Sequence, residues 1–431
     1  MNSGNGGDGY LVSKRHAYFA FTLLFLLYMF DYIDRLVVVS LFPFLKSDWG
    51  LSDTQCGMLV SAVYWSILVF TFPVSLLVDR WSRSKGIGLM AVLWSIATAA
   101  CAFTRNFRQL FVARTAIGIG EAGYAPGGTS MIAALFPEEK RSMFVGIWTA
   151  SIPLGSALGI AIGGNVAEIW GWRHAFGLVA LPGLIVALLF FRVKDYKTVQ
   201  LVKTAAENSA ARQKMKVMDM VRVFTRTKSL LFTYLGFAGN TFVTTALLSW
   251  LPTYFHRAEG IPMSKASVKG GSIMLLAIIG APLGGLIADR WQKKRKNARL
   301  LFSAITSSLS ALVLYAAFSG IGANYPFFIL IVAGITVVAF VPAAAAVTQD
   351  VVHPGLRATS YSLCVIVQHI LGSTLGPIFV GAVSDRYDLA TGLSLLPIFT
   401  LVAGVLFFIG SFFYAGDLEK VEKIQLKAKD A

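Results

Sequence analysis

What most constrains this chain is a recurrence: twelve apolar runs of membrane length, separated by short stretches that hold nearly all of its charge. A hydrocarbon core about 30 Å thick takes about 20 apolar residues per helix. Lipid satisfies no backbone N–H or C=O, so such runs have to be helical. They fall near 17–40, 56–78, 86–104, 109–135, 142–167, 174–192, 229–254, 267–288, 299–319, 325–348, 358–384 and 393–415. The spacing predicts an all-α membrane protein of twelve transmembrane helices. Composition agrees, because 56% hydrophobic and 14% charged residues over 431 positions leave too little polar surface for soluble globular domains. The 13% aromatic content and 40 glycines suit interfacial rings and close helix contacts.

A net charge of +16 raises nucleic acid as a partner, and the placement of the charge argues against it. The basic residues sit in the short stretches between apolar runs. An even number of spans puts both termini on one side. If that side is cytoplasmic, its segments hold 28 of the 38 Lys and Arg and the opposite side holds eight, with Arg35 and Arg114 alone inside spans. The bias follows the positive-inside rule and predicts a multi-pass protein of the plasma (inner) membrane with cytoplasmic termini and a basic rim facing anionic headgroups. No small-residue cleavage pattern follows the polar first seventeen residues, so no cleaved signal peptide is expected. Cys56, Cys101 and Cys364 have neither paired nor metal-ligand spacing and read as packing residues.

The stretch from Val193 to Lys228 has no membrane-length apolar run and divides the chain into six plus six: a bundle over 1–192, a linker over 193–228 and a bundle over 229–431. Within the linker, a surface amphipathic helix and a solvated tether fit equally well. The halves repeat one another. Asp79-Arg80-Trp81 with Arg83 and Lys85 is matched by Asp289-Arg290-Trp291 with Lys293 to Lys296, an offset of 210. Leu154-Gly155-Ser156-Ala157-Leu158-Gly159 is matched by Leu371-Gly372-Ser373-Thr374-Leu375-Gly376, an offset of 217, and between them Pro126 and Arg141 match Pro342 and Arg357 at 216. Matches in one order at nearly one offset mark a duplicated six-helix bundle with both copies running in the same direction. The duplicated Asp-Arg loops, Asp79, Arg80 and Arg83 in one half and Asp289 and Arg290 in the other, read as a gate. A carboxylate there can hold a cation across the seam between bundles and release it when they rock.

These loops, the twelve spans and the basic linker resemble the major facilitator superfamily, and over essentially the whole chain the pattern is similar to its Spinster-like branch. Asp34-Arg35, Arg114 through Gly118-Ile119-Gly120-Glu121-Ala122, Ile152-Pro153-Leu154-Gly155-Ser156, and Gln368-His369-Ile370-Leu371-Gly372 leading to Ser384-Asp385-Arg386 carry the likeness. The resemblance implies a transporter working by alternating access, a lysolipid or sphingolipid substrate, and protonation of the glutamate that stands here as Glu121. The chain departs from the pattern at Asp31, where a neutral polar residue is expected.

Ionisable groups inside a membrane cost at least about 2.5 kcal/mol each to insert, so each is a functional candidate. Spacings of three and four put Asp31 on one face with both Asp34 and Arg35, and Arg114 shares a face with Glu121 two turns on. A polar cluster in the first bundle follows. Proton coupling needs a desolvated carboxylate near a cation, which fits Glu121 first, with Arg114 as partner, and then Asp34 and Asp31. Arg35 and Arg114 are candidate anion anchors, since a planar guanidinium suits carboxylate or phosphate.

In the second bundle the polar candidates are Asn240, Gln368 and His369, beside Phe237, Phe242, Trp250 and Tyr254. A charged half facing an apolar half suits an amphiphile with an acidic headgroup; a compact sugar acid would use the same arginines. The partners expected are a small anionic or amphiphilic solute, protons and the bilayer, with no cofactor or metal, and a monomer as the unit. Sodium is disfavoured because no carbonyl-rich broken helix is evident. An integral-membrane enzyme is the remote alternative, for which the five histidines are too scattered, and no phosphate loop supports ATP-driven transport.

Overall fold

A computed structural model describes residues 12–195, 224–319, 326–353 and 356–421. Most of the 193–228 linker lies outside the described residues. Among the described residues are twelve long helical rods, with a short helix Phe42–Trp49 between the first two: α1 (Lys14–Leu36), α2 (Asp53–Trp81), α3 (Arg83–Cys101), α4 (Phe107–Glu121, resumed over Tyr124–Leu135), α5 (Glu138–Thr149 and Ser151–Trp170) and α6 (Trp172–Phe190). Then come α7 (Lys228–Glu259), α8 (Met263–Leu275 and Ala277–Gln292), α9 (Ala298–Phe318), α10 (Pro326–Ala339 and Val341–Asp350), α11 (Arg357–Val367, Gln368–Ser373 and Leu375–Arg386) and α12 (Leu396–Glu419). This is the twelve-helix, all-α architecture expected from the apolar runs. Ten of the rods are long and apolar enough to cross a membrane, among the described residues; the other two, α1 and α4, carry the buried Asp31, Asp34, Arg35, Arg114 and Glu121.

Helix starts are written locally. Ser52 caps α2 in a full capping box with Gln55, and Ser82 and Asn106 accept from Lys85 N and Gln109 N at the starts of α3 and α4. The tight turns into α2 and α8 pass through Gly50 and Gly260 at φ 63 and 64, the left-handed region that a side chain disfavours. They lie 210 residues apart, the offset of the Asp-Arg loops, so the duplication extends to the turn geometry.

The described chain packs as two compact units that cut across the sequence halves. One comprises Met1–Arg212, Leu248–Leu275 and Pro377–Leu389; the other comprises Gln213–Leu247, Leu276–Gly376 and Ala390–Ala431. In the first, the repeated Leu-Gly-Ser motif is a contact surface. A Cβ on Gly155, Gly159 or Gly163 of α5 would lie 2.4, 2.7 or 2.6 Å from the carbonyl oxygens of Met29 and Ile33 in α1 and of Val37 just past its end. In the second, a Cβ on Gly372 or Gly376 of α11 would lie 2.8 or 2.3 Å from the oxygens of Ala238 and Phe242 in α7. Small residues at four-residue spacing let helix backbones touch, which in lipid is the main source of helix association. The motif was duplicated because the contact was.

Candidate functional site

The cluster expected in the first half forms within the first unit, around Arg35. Its guanidinium Nε donates to Glu121 Oε2 at 2.8 Å and its Nη2 donates to Asp31 Oδ1 at 3.0 Å, with Asp31 Oδ2 at 2.9 Å. The guanidinium also lies over the Tyr32 ring, 4.7 Å from its centroid, with Tyr64 on another side. Tyr28, one turn before Tyr32, stacks on Trp148 of α5 at 4.2 Å, and Tyr124 donates to the Leu24 carbonyl at 2.5 Å. An aromatic wall therefore runs along α1 up to the ion cluster. Asp31, Asp34, Arg114 and Glu121 are at most 3% exposed, and Arg35 is 8% exposed.

Local chain breaks make this geometry. The run Val37-Val38-Val39 crowds an α-helix at χ1, and after Leu36 the chain tightens into a 3-10 turn over Val37–Leu41. The change of pitch strands carbonyls at the end of α1, and Arg114 takes them: Nη1 donates to Asp34 O at 3.0 Å, Nη2 to Arg35 O at 2.8 Å, and Nε to Leu59 O of α2 at 3.0 Å. Arg114 is thus fully engaged by backbone, and the partner of Glu121 is Arg35, not Arg114 as its helical face suggested. The helix break that sequence inspection missed is present, with its carbonyls covered by a fixed guanidinium.

Glu121 is placed by glycine. A Cβ on Gly118 would lie 2.1 Å from Ser66 Oγ and 2.4 Å from Val63 O, and one on Gly120 would lie 2.8 Å from Trp94 N. α4 is therefore pressed against α2 and α3 on two sides, and it breaks at Ala122 and Gly123 just beyond Glu121. One carboxylate oxygen, Glu121 Oε1, accepts no hydrogen bond from a donor group among the described residues, and the Asp31 carboxyl lies within hydrogen-bonding reach of Glu121. Asp34 makes no ion pair among the described residues; the Thr98 hydroxyl of α3 lies beside its carboxyl.

The second-half candidates lie in the other unit. Asn240 is buried and donates to Ser307 Oγ of α9 at 2.8 Å. Gln368 accepts from Thr241 at 3.2 Å and donates to Cys364 Sγ at 3.3 Å. Gln368 and His369 open a π-helical segment, Gln368–Ser373, closed by a hydrogen bond from Thr374 N to His369 O five residues back at 3.2 Å. Of the aromatic candidates, Phe237 packs edge-on against Phe340 and Phe242 stacks on Phe399, so both serve helix packing.

Of the two Asp-Arg loops expected to form a gate, the described residues show the pairing of the second copy alone. Asp289 accepts from Arg299, ten residues on in α9, at 2.9 Å; Arg299 also pairs with Asp350, which accepts from Tyr414 at 2.6 Å. Among the described residues that relay stays inside one unit. Arg290 makes no ion pair among the described residues, and the side chains of Asp79, Arg80 and Arg83 lie outside them.

A cluster that the sequence reading passed over lies in the first unit at the opposite ends of the helices from these loops. Asp53, the first residue of α2, accepts from Arg257 Nη1 and Nη2 at 2.7 and 2.8 Å, from Lys46 at 2.5 Å and from Ser384 at 2.5 Å. Asp385, next to Ser384, accepts from the amides of Asp53 and Thr54 at 2.7 and 2.8 Å and from the Thr54 hydroxyl at 2.6 Å. Two signals were available: an acid directly after the N-cap Ser52, and Ser384-Asp385 at the end of an apolar run where only eight basic residues share that side.

Comparison with known proteins places this architecture. The chain is similar to the sphingosine-1-phosphate transporter SPNS2 of Xenopus tropicalis, 28% identical over 433 residues, 92% of this chain and 82% of that one. It is similar to the hexuronate transporter of Bacillus subtilis (strain 168), 27% identical over 382 residues, 86% of this chain and 89% of that one. Among solved structures, a bacterial homolog to the human lysosomal transporter Spinster, inward-facing and unoccupied, superposes with a TM-score of 0.81 at 22% identity, covering 94% of this chain and 99% of that one. These likenesses bear out the Spinster-like resemblance. The Major Facilitator Superfamily model matches residues 24–377, from the middle of α1 into α11, and the chain belongs to that superfamily.

Proposed function

We infer that this multi-pass membrane transporter moves a small organic solute with an anionic headgroup by proton-linked alternating access, with Arg35 as the anion anchor and Glu121 as the exchangeable proton site. One observation carries the reading: a buried guanidinium held between two carboxyls of different kinds. Asp31 is on the same helix as Arg35, at i,i+4, so the pair moves as a body. Glu121 reaches Arg35 from another helix, at the residue where that helix breaks, and keeps one oxygen without a donor group among the described residues. Movement of α4 against α1 breaks the Glu121 arm alone. The cluster holds three carboxyls against two guanidiniums, one of them committed to carbonyls, so a proton on Glu121 balances it and frees part of Arg35 for a substrate anion.

The printed substrates of the two relatives, a hexuronate and sphingosine-1-phosphate, share an acidic group and differ in their tails. An acidic group on Arg35 is common to both readings. The aromatic wall of Tyr28, Tyr32 and Trp148 beside the cluster favours the amphiphile, because a chain gains from apolar contact that a sugar acid does not use. Gln368 and His369, part-buried on the π-helical segment of α11, are the second-half positions retained for substrate contact. The charge bias supports cytoplasmic termini in a plasma (inner) membrane, and the protein acts as a monomer on this reading.

Uptake into proteoliposomes, driven by a pH gradient and offering a labelled lysolipid beside a sugar acid, tests the proposal. Gradient-dependent uptake of one class, lost in Glu121→Gln, is expected. Carriage that ignores the gradient in the parent protein would rule out proton linkage.

A further inference from the structure

The duplication reappears at the face of the first unit that carries Asp53, and there it has a mechanical form. Asp385, at the end of α11, accepts from the amides of the first two residues of α2, Asp53 and Thr54. Glu168, at the end of α5, accepts from the amide of Ser264, the second residue of α8, at 2.7 Å. Glu168 and Asp385 are 217 residues apart, the offset of the Leu-Gly-Ser motifs; Thr54 and Ser264 are 210 apart, the offset of the Asp-Arg loops. Glycines at the same offsets bring the backbones together. A Cβ on Gly381 of α11 would lie 2.5 Å from Asp53 O, and one on Gly164 of α5 would lie 2.9 Å from Met263 O. Each carboxylate satisfies helix-start amides that have no intrahelical acceptor and sits at the positive end of a helix dipole.

We propose that Asp385 and Glu168 are a matched pair of gating residues, each a carboxylate from one half of the chain clamped on a helix N-terminus of the other half, and that both clamps release when the transporter opens on this face. The inference rests on the alternating-access reading above. In that cycle the α2–α11 and α5–α8 seams on one face must part, and the amides and carboxylates that part return to water. A carboxylate on amides suits this better than a buried ion pair does, since both partners are readily solvated once exposed and neither is left stranded as an uncompensated charge. The copies are unequal. The α2 clamp is reinforced by Arg257 and Lys46 on Asp53, whereas the Glu168 clamp is exposed and carries a single amide, so release begins at Glu168.

Cys56 provides a native reporter. It is fully buried one turn into α2, and its thiol lies in the field of Asp53, Lys46, Arg257 and Asp385. In purified full-length protein reconstituted in vesicles, the labelling rate of the Cys56 peptide by a charged maleimide is measured by mass spectrometry for the parent, Asp385→Asn, Asp385→Glu and Glu168→Gln. Replacing a charge-assisted acceptor by a neutral one is expected to raise labelling by roughly tenfold in Asp385→Asn and by a smaller factor in Glu168→Gln, with Asp385→Glu near the parent. Melting temperature in detergent separates opening from unfolding, because an unfolded fraction would also label Cys101 and Cys364. Parent-like labelling of Cys56 in both neutral variants, with melting unchanged, overturns the proposal. Substrate uptake in the same vesicles keeps the two readings apart: parent uptake with unchanged Cys56 labelling removes the clamp alone, and faster labelling in the variants without gradient-linked uptake by the parent removes the proton-linked cycle alone.

Discussion

At the scale of single residues, the three acids and two bases of the buried cluster on α1 and α4 have separate duties, and substitution should separate them. Arg114 holds three carbonyls from two helices with one planar group. Lysine presents its donors from one point and cannot span them, so Arg114→Lys should destabilise the protein by about 2–4 kcal/mol and lower its melting temperature in detergent, even though charge is conserved. Asp31→Asn removes the resident counter-ion of Arg35 and leaves a neutral side chain that can still hydrogen-bond the neighbouring Glu121 carboxyl. Substrate affinity should rise, by roughly tenfold for an anionic solute measured by isothermal titration, while gradient dependence survives. The same titration with an uncharged analogue should show no gain; a gain there would mean that Asp31 acts through packing.

At the scale of elements, the glycines on α5 and α11 decide how closely two pairs of helices approach. A Cβ at Gly159 would meet the Ile33 carbonyl at 2.7 Å, and one at Gly376 the Phe242 carbonyl at 2.3 Å. Backbone cannot move aside as a side chain tip can, so Gly159→Ala and Gly376→Ala should each cost about 1–3 kcal/mol as overpacking. Gly146, earlier in α5, has nothing within 4 Å of its would-be Cβ, and Gly146→Ala should be neutral or stabilising by up to about 1 kcal/mol from helix propensity. Thermal unfolding of the three variants side by side checks the contrast, and equal melting points would mean that the seams are soft.

At the scale of the whole molecule, the cycle should be arrested by a covalent tie at the clamp. The Thr54 hydroxyl and the Asp385 carboxylate meet at 2.6 Å, so a pair of cysteines at these positions is the site for a disulfide tie across the clamp. Thr54→Cys with Asp385→Cys should carry substrate when reduced and stop when oxidised, with activity restored by a reductant. Transport that continues through the oxidised tie would show that this face does not open. The Arg299 relay with Asp289 and Asp350 lies within the other unit, and the oxidised tie leaves it untouched.

By itself the sequence determined the class of solvent, the number and positions of the spans, the duplication, and which residue types are buried at a cost. These follow from segment length, hydropathy and charge placement, which are properties of the chain read along its length. It also placed Glu121, Asp31, Asp34 and Arg35 in one bundle, because helical periodicity puts them on facing surfaces. Only the tertiary structure decided that Glu121 pairs with Arg35 across 86 positions, that Arg114 is engaged by the carbonyls of a broken helix, and that an ion network around Asp53 joins the halves in the first unit. Periodicity fixes a residue's face but not the rotation and axial shift of one helix against another. In this chain those are set by glycines that leave no room for a Cβ against the neighbouring backbone and by a run of three valines that ends α1 one residue after its arginine.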